Sequence, residues 1–373
     1  MKNIIILGAG MVGRAMALDL AKKHNVTSVD RSSKSLALVD NPNIQKIEAD
    51  LSDTARIREL IQDYDLVISA VPGFMGYKTV QTIIETGKNC VDISFMPEDC
   101  MQLDALAKEK GVTVIADMGV APGMPNLIAG YHHARMQIEE FIYMVGGLPV
   151  ERKFPFEYKA PFSPVDVVEE YTRPARMKIN NVVESREPMS DAELIDFDRI
   201  GTLEAFNTDG LRSLLYTLEG VPNMKEKTLR YPGHIKLIQA LKASGFLDEK
   251  PVKIGDKEIS PYEFTTKMLF NQWYLHPDEE EFTVMKVIVR GTENGTKKEY
   301  VYDLLDYYDK TERISSMART TGFTGTSGAE LILQEVFTQE GLFPPEIPGK
   351  DEKVFSFVMD YLKERGVIYK VRS

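Results

Sequence analysis

The chain has 373 residues, 43% of them hydrophobic and 27% charged, which are the proportions of a folded, water-soluble protein with room for two cores. Its formal net charge of −11 repels phosphate and so disfavours nucleic acid and anionic membranes as partners. Cys90 and Cys100 are the only cysteines, too few for a disulfide framework or a four-thiolate zinc site, and a reducing, cytoplasmic setting is expected.

The chain opens on the apolar run 4–7, which glycines interrupt, and no later run approaches the ~20 apolar residues that span a bilayer. Five more β-rich runs follow, at 26–29, 44–47, 66–71, 90–93 and 112–115, separated by helical patterns at 11–23, 54–63, 77–86 and 97–110. This alternation predicts an α/β fold, a doubly wound parallel Rossmann sheet over residues 1–123. Between the first strand and the first helix lies Gly8-Ala9-Gly10-Met11-Val12-Gly13, the glycine fingerprint of a dinucleotide site in its required context. Gly8 permits the tight turn, Gly10 the approach of a diphosphate, and Gly13 close packing of helix on strand. Asp30 ends the second strand, where a carboxylate grips ribose hydroxyls and repels a 2′-phosphate; NAD is therefore favoured. Arg31, able to stack on adenine or hold a phosphate, leaves NADP open. Ligands of such sheets sit at the carboxyl ends of the strands, so Asp50 and Leu51 are expected at the adenine and Ala70, Val71 and Pro72 at the nicotinamide ribose.

Beyond residue 125 the texture changes. A strand at 141–145 closes on Gly146-Gly147, a second pair is expected at 177–180 and 182–185, and two long runs, 281–290 and 298–305, flank the hairpin signal Asn294-Gly295. Helical patterns intervene at 234–244 and 260–270. These features predict a separate α+β domain with a mixed or antiparallel sheet over 124–320, and helices at 327–337 and 352–364 within a third stretch, 321–373. Uncovered hairpin edges favour a homodimer or higher homo-oligomer.

At Asp117-Met118-Gly119-Val120-Ala121-Pro122-Gly123-Met124 a second distinctive string appears. With the fingerprint, with residues 145–150, with Leu203-Glu204-Ala205-Phe206-Asn207-Thr208-Asp209-Gly210, with Arg230-Tyr231-Pro232-Gly233-His234 and with Met317-Ala318-Arg319-Thr320-Thr321, it resembles the saccharopine dehydrogenase-like family, more closely its L-lysine 6-dehydrogenase branch. The resemblance implies a Rossmann domain, an inserted domain for substrate and dimerisation, and a C-terminal return to the first domain. It also implies an NAD(P)-dependent dehydrogenase that oxidises a carbon–nitrogen bond of a small amino acid: the ε-carbon of lysine, or the secondary amine of saccharopine.

Such chemistry needs a neutral amine, because the nitrogen lone pair drives hydride from the carbon, and an alkylammonium titrates near ~10.4. His234, in a turn before a helix, is the first candidate for the base; a histidine capping that helix would read the same way. Asp117, at the end of the sixth strand, is a second candidate for proton transfer, or else bonds the amides of the following turn. Phe206, Asn207, Thr208 and Asp209 suit a loop holding an α-amino acid, with an ordinary helix N-cap as the rival reading. Arg230 and Arg319 are the candidate carboxylate clamps, with Arg173, Arg176, Arg199 and Arg212 also available. No metal spacing is evident. A non-catalytic dinucleotide sensor is the alternative of another class.

Overall fold

A computed structural model describes residues 1–161 and 164–373. Six strands, β1 (Asn3–Leu7), β2 (Asn25–Asp30), β3 (Gln45–Glu48), β4 (Leu66–Ser69), β5 (Cys90–Asp92) and β6 (Thr113–Ile115), form a parallel sheet in the order 6-5-4-1-2-3. Helices α1 (Met11–Leu20), α2 (Ser33–Leu38), α3 (Thr54–Leu60), α4 (Gly73–Glu85) and α5 (Asp104–Lys110) cross over between them. Because both sheet faces are covered, β1 is apolar throughout: Ile4 and Ile6 enter one core cluster, Ile5 and Leu7 the other. Helix α6 (Met124–His133) then carries the chain into the second domain.

That domain is built on a nine-stranded mixed sheet. Its long centre is β7 (Gln137–Pro149), followed in the chain by α7 (Pro164–Thr172), β8 (Ala175–Ile179), β9 (Val182–Arg186), β10 (Glu193–Phe197), β11 (Gly201–Asn207), α8 (Leu214–Thr217) and β12 (Asn223–Arg230). After α9 (His234–Ala243), a small hairpin of β13 (Val252–Ile254) and β14 (Lys257–Ile259), and α10 (Pro261–Trp273), the hairpin β15 (Glu281–Glu293) and β16 (Thr296–Tyr307) turns on Asn294-Gly295. β12 runs parallel to β7, and β15 antiparallel on its other side. The sequence expectation that β7 ends at Gly146-Gly147 is corrected: the strand continues through both. A Cβ on Gly146 would lie 2.6 Å from the Leu229 carbonyl oxygen, and one on Gly147 2.7 Å from both Met317 and Pro161, so these glycines permit close packing rather than a turn.

The last stretch returns to the first domain and also crosses it. Helix α11 (Ser316–Leu333) lays Gly322, Gly325 and Gly328 against Met16, Ile93 and Met118. β17 (Gly341–Phe343) adds a seventh parallel strand beside β6, and α12 (Glu352–Glu364) leads to β18 (Tyr369–Arg372), an edge strand of the second sheet beside β16. The short β17 and β18 are absent from the sequence reading, being too brief to show a period. Asp19 on α1 ties this return together: it is buried and accepts from Thr326, Tyr361 and Arg365. Among the described residues no helix is long and apolar enough to cross a membrane.

Candidate active site

A cleft of about 850 Å³ runs between the carboxyl ends of the first sheet and one face of the second. Every residue expected at the cofactor lines it: Gly8, Gly10, Met11, Val12, Gly13, Asp30, Arg31, Asp50, Leu51, Ala70, Val71 and Pro72. The glycines have separate reasons. A Cβ on Gly8 would lie 2.4 Å from the Ala70 carbonyl, and Gly8 has φ +115°; a Cβ on Gly13 would lie 2.0 Å from the Gly8 carbonyl. Gly10 meets nothing within 4 Å, so the space over it is open to a ligand. With no side chain capping α1 and no acidic residue in its first turn, its free amides face that space, which fits the diphosphate of a dinucleotide. Asp30 accepts from the Ala9 amide at 2.8 Å and from the Ser32 amide at 2.8 Å, so both carboxylate oxygens brace the loop from within.

The opposite wall is the second sheet. Alternation along β12 puts Glu226, Thr228 and Arg230 on one face, and β7 presents Tyr143 beside Glu226 and Val145 beside Thr228. Glu226 is buried and accepts from Thr208 Oγ1 at 2.5 Å and from the Gly210 amide at 3.1 Å. Burial, opposed by the Thr208 bond and aided by the charge of Glu170, raises its pKa to about 8. Arg230 gives hydrogen bonds to Tyr171 Oη (3.0 Å) and Glu170 (2.5 Å) and lies over the Tyr158 ring. Burial works against its charge, but Tyr158, Tyr171 and Glu170 outweigh that and raise its pKa.

Asp117 comes from the end of the first sheet with φ +56°. Its Oδ2 accepts from Arg212 Nε at 2.7 Å, while its Oδ1 is buried without a partner among the described residues. Arg212, only 8% exposed, lies over the ring of Phe95, which lines the cleft. Asp209 is held by Arg176 at 2.9 Å, and Glu169 by Arg173 one helical turn on.

Of the expected catalytic and substrate residues, Asp117, Thr208, Asp209 and Arg230 line the cleft; His234, Phe206, Asn207 and Arg319 do not. His234 is buried among Phe156, Tyr158, Tyr171 and Trp273, with Nδ1 against the Phe156 carbonyl (2.9 Å) and Nε2 against Tyr171 Oη (3.0 Å). Burial, with the Arg230 charge, drives its pKa down to about 3, so it is a neutral core histidine with both nitrogens occupied. Phe206 is wholly buried in the second core, and the Asn207 amide is spent on Ser190 and Asp191. Arg319 binds Asp306, Asp309 and the Arg365 carbonyl, pinning α11 to β16 and α12.

Glu226, Glu170, Phe95 and Tyr143 escape the sequence reading, and Arg212 figures there only among the further available arginines. Glu226 leaves no clear signal in the sequence: Lys225 and Lys227 on the opposite face are as polar as Glu226 and Thr228, so residues 223–230 lack the apolar–polar alternation of a half-buried strand.

Residues 4–115 match the saccharopine dehydrogenase NADP binding domain and residues 119–367 the saccharopine dehydrogenase C-terminal domain. The saccharopine dehydrogenase [NADP(+), L-glutamate-forming] of Saccharomyces cerevisiae is 23% identical over 443 residues, covering 98% of this chain and 99% of its own. Mouse alpha-aminoadipic semialdehyde synthase is 20% identical over 448 residues, and the chain spans 48% of its length. The carboxyaminopropylagmatine dehydrogenase of Synechocystis is 21% identical over 378 residues, covering 93% of this chain and 92% of its own. The solved structure of the apo yeast L-Glu-forming saccharopine dehydrogenase superposes with a TM-score of 0.82 at 20% identity, covering 100% of this chain and 99% of the other. The first domain is thus an NAD(P)-binding domain, and the chain belongs to the saccharopine dehydrogenase family.

Proposed function

We propose that the protein is an NAD(P)-dependent dehydrogenase acting on the ε-carbon–nitrogen bond of a lysine-type amine, a lysine 6-dehydrogenase-like activity. The observation that carries this reading is the charge balance of the substrate wall. Four arginines stand on or just behind it, and each is paired with a carboxylate: Arg173 with Glu169, Arg176 with Asp209, Arg212 with Asp117 and Arg230 with Glu170. Glu226 remains, and it pairs with no cation among the described residues. Above about pH 8, where Glu226 is ionised, the wall carries one carboxylate in excess, which suits a ligand with one ammonium in excess, as lysine has. Saccharopine carries three carboxylates and would need guanidinium groups that are already committed.

Glu226 also meets the demand for a base. An ordinary glutamate lies about six pKa units below an alkylammonium, so accepting its proton costs about 8 kcal/mol. With a pKa near 8 the gap falls to about two units, or about 3 kcal/mol. In this reading Glu226 takes the ammonium proton, Thr208 holds the carboxyl in place, and the unpartnered Asp117 Oδ1 accepts an N–H of the amine. The glycine loop, Asp30 and Arg31 would hold the dinucleotide, whose nicotinamide supplies the hydride acceptor. Phe95 and Tyr143 wall the cleft against water.

The test is a panel of lysine, saccharopine and agmatine-type amines with NAD and then NADP, followed by absorbance of the reduced cofactor. Lysine is expected to exceed saccharopine at least tenfold in kcat/KM. Faster turnover of saccharopine would replace the reading with saccharopine dehydrogenase, and turnover of none would favour the sensor. A homodimer fits the uncovered edge strands β9, β10 and β18, and light scattering of the purified protein tests it.

A further inference from the structure

At the glycine-loop end of the cleft the second domain reaches over the first. Two of its loops line that end: residues 274–279, between α10 and β15, and residues 308–315, between β16 and α11. They are joined to each other, because Tyr308 Oη donates to the Pro277 carbonyl and the Arg313 guanidinium pairs with Asp278. They are also joined to the first domain: Arg14, one residue past the fingerprint, gives a hydrogen bond to the Arg313 carbonyl, and Lys22 pairs with Glu312. Arg14 and Arg313 both line the cleft beside Gly8, Gly10 and Gly13.

The glycine loop by itself offers a diphosphate only neutral amides and the partial charge of α1. Two full negative charges entering a cleft of a chain with net charge −11 call for cations, and these two arginines stand where the loop lacks them. Arg14 is half-buried and held by its bond to the second domain, whereas the Arg313 side chain is 63% exposed and, among the described residues, is held only by an exposed aspartate and the Tyr308 hydroxyl, which gives it freedom to turn inward. Its backbone is fixed by the bridge between Asp309 and Ile314 and adopts φ +52°.

We infer that Arg313 of the second domain, with Arg14 of the first, is a side-chain ligand of the cofactor diphosphate, so that the dinucleotide is clasped between the two domains rather than bound by the Rossmann domain alone. This rests on dinucleotide binding and is independent of which amine is oxidised. Asp278 competes with the diphosphate for Arg313 and sets how tightly the clasp closes.

The test is calorimetric titration of the full-length chain and its variants with NADH and, separately, NADPH. For Arg313→Ala the dissociation constants of both cofactors are expected to rise about tenfold, with Arg313→Lys keeping most of the affinity. Asp278→Asn is expected to move both the other way, tightening them severalfold. Neither variant is expected to alter the melting temperature of the unliganded protein appreciably, since both side chains are exposed. Unchanged affinity for both dinucleotides in Arg313→Ala overturns the proposal, and so does loss confined to NADPH, which would assign the arginine to a 2′-phosphate. Arg14→Ala is a second variant: a lowered melting temperature with unchanged cofactor affinity would reduce its role to tying the domains. If the purified enzyme oxidises no amine yet these affinities shift as stated, the clasp stands and only the proposed substrate falls.

Discussion

Asp117 and Arg212 meet in a buried ion pair of 2.7 Å, although 95 positions separate them in the chain. Both have left-handed backbone, φ 56° and 49°, a conformation that costs of order 1–3 kcal/mol at each non-glycine residue. The buried ion pair offsets that strain and joins the end of the first sheet to the loop before α8, while the second Asp117 oxygen has no partner among the described residues.

Asp117→Asn keeps the shape and tolerates the backbone, but leaves the Arg212 charge buried and uncompensated. We expect a loss of about 3–5 kcal/mol in denaturant unfolding, together with loss of amine oxidation. Adding Arg212→Met is expected to recover much of the stability but none of the activity. Recovery of both would assign Asp117 a purely structural role.

Glu226→Gln removes the proposed base while keeping both hydrogen-bonded neighbours in reach. The expected result is a fall of about 10²–10⁴ in kcat and loss of the limb near pH 8 from the rate profile. Stability has the opposite pH sense from that of an ion-paired carboxylate. The folded pKa, about 8, lies above the ordinary 4.5, so the neutral form is favoured by folding; its contribution is full below about 4.5 and is lost as pH rises through about 8. The melting temperature of the glutamine variant relative to the native protein is therefore expected to improve between pH 5 and pH 9.

His234→Gln separates a core role from a catalytic one. With its pKa near 3 and both ring nitrogens bonded, His234 is neutral throughout the working range. Replacement is expected to lower stability by about 1–3 kcal/mol, through the unpaired Tyr171 hydroxyl and Phe156 carbonyl, and to leave the pH dependence of kcat unmoved. A shifted pH limb would return His234 to the reaction.

Gly10→Ala and Gly13→Ala test the cofactor loop from two sides. The first meets no protein atom within 4 Å and is expected to fold normally yet bind NADH at least tenfold more weakly. The second drives a methyl to 2.0 Å from the Gly8 carbonyl oxygen and is expected to lose melting temperature and cofactor binding together. Thermal unfolding with and without NADH reads both.

Residues 8–13 were legible because a tight turn, an open backbone and a close packing contact each demand glycine at a set offset, and all lie within six positions of the chain. The same holds for Asn294-Gly295 between β15 and β16, where adjacent residues alone define the turn. β10, β11 and β12 were hidden: Glu204 and Asn207 in β11 and Glu226 in β12 leave little apolar character, and it is pairing in series, β10 on β11, β11 on β12 and β12 on β7, that makes these segments strands.

The amino-acid order therefore determined what depends on neighbours in the chain: the alternation of strand and helix, the cofactor loop, and the apolar periodicity of the first sheet. Which polar groups share the cleft was decided by tertiary structure. Glu226 reaches the cleft because β12 pairs with β7 in a register that sets it beside Tyr143, and His234 is excluded because Phe156, Tyr158, Tyr171 and Trp273, scattered along the chain, enclose it. Burial moves the carboxyl of Glu226 to about 8 and the imidazole of His234 to about 3, and burial is a property of packing between distant segments that no local pattern records.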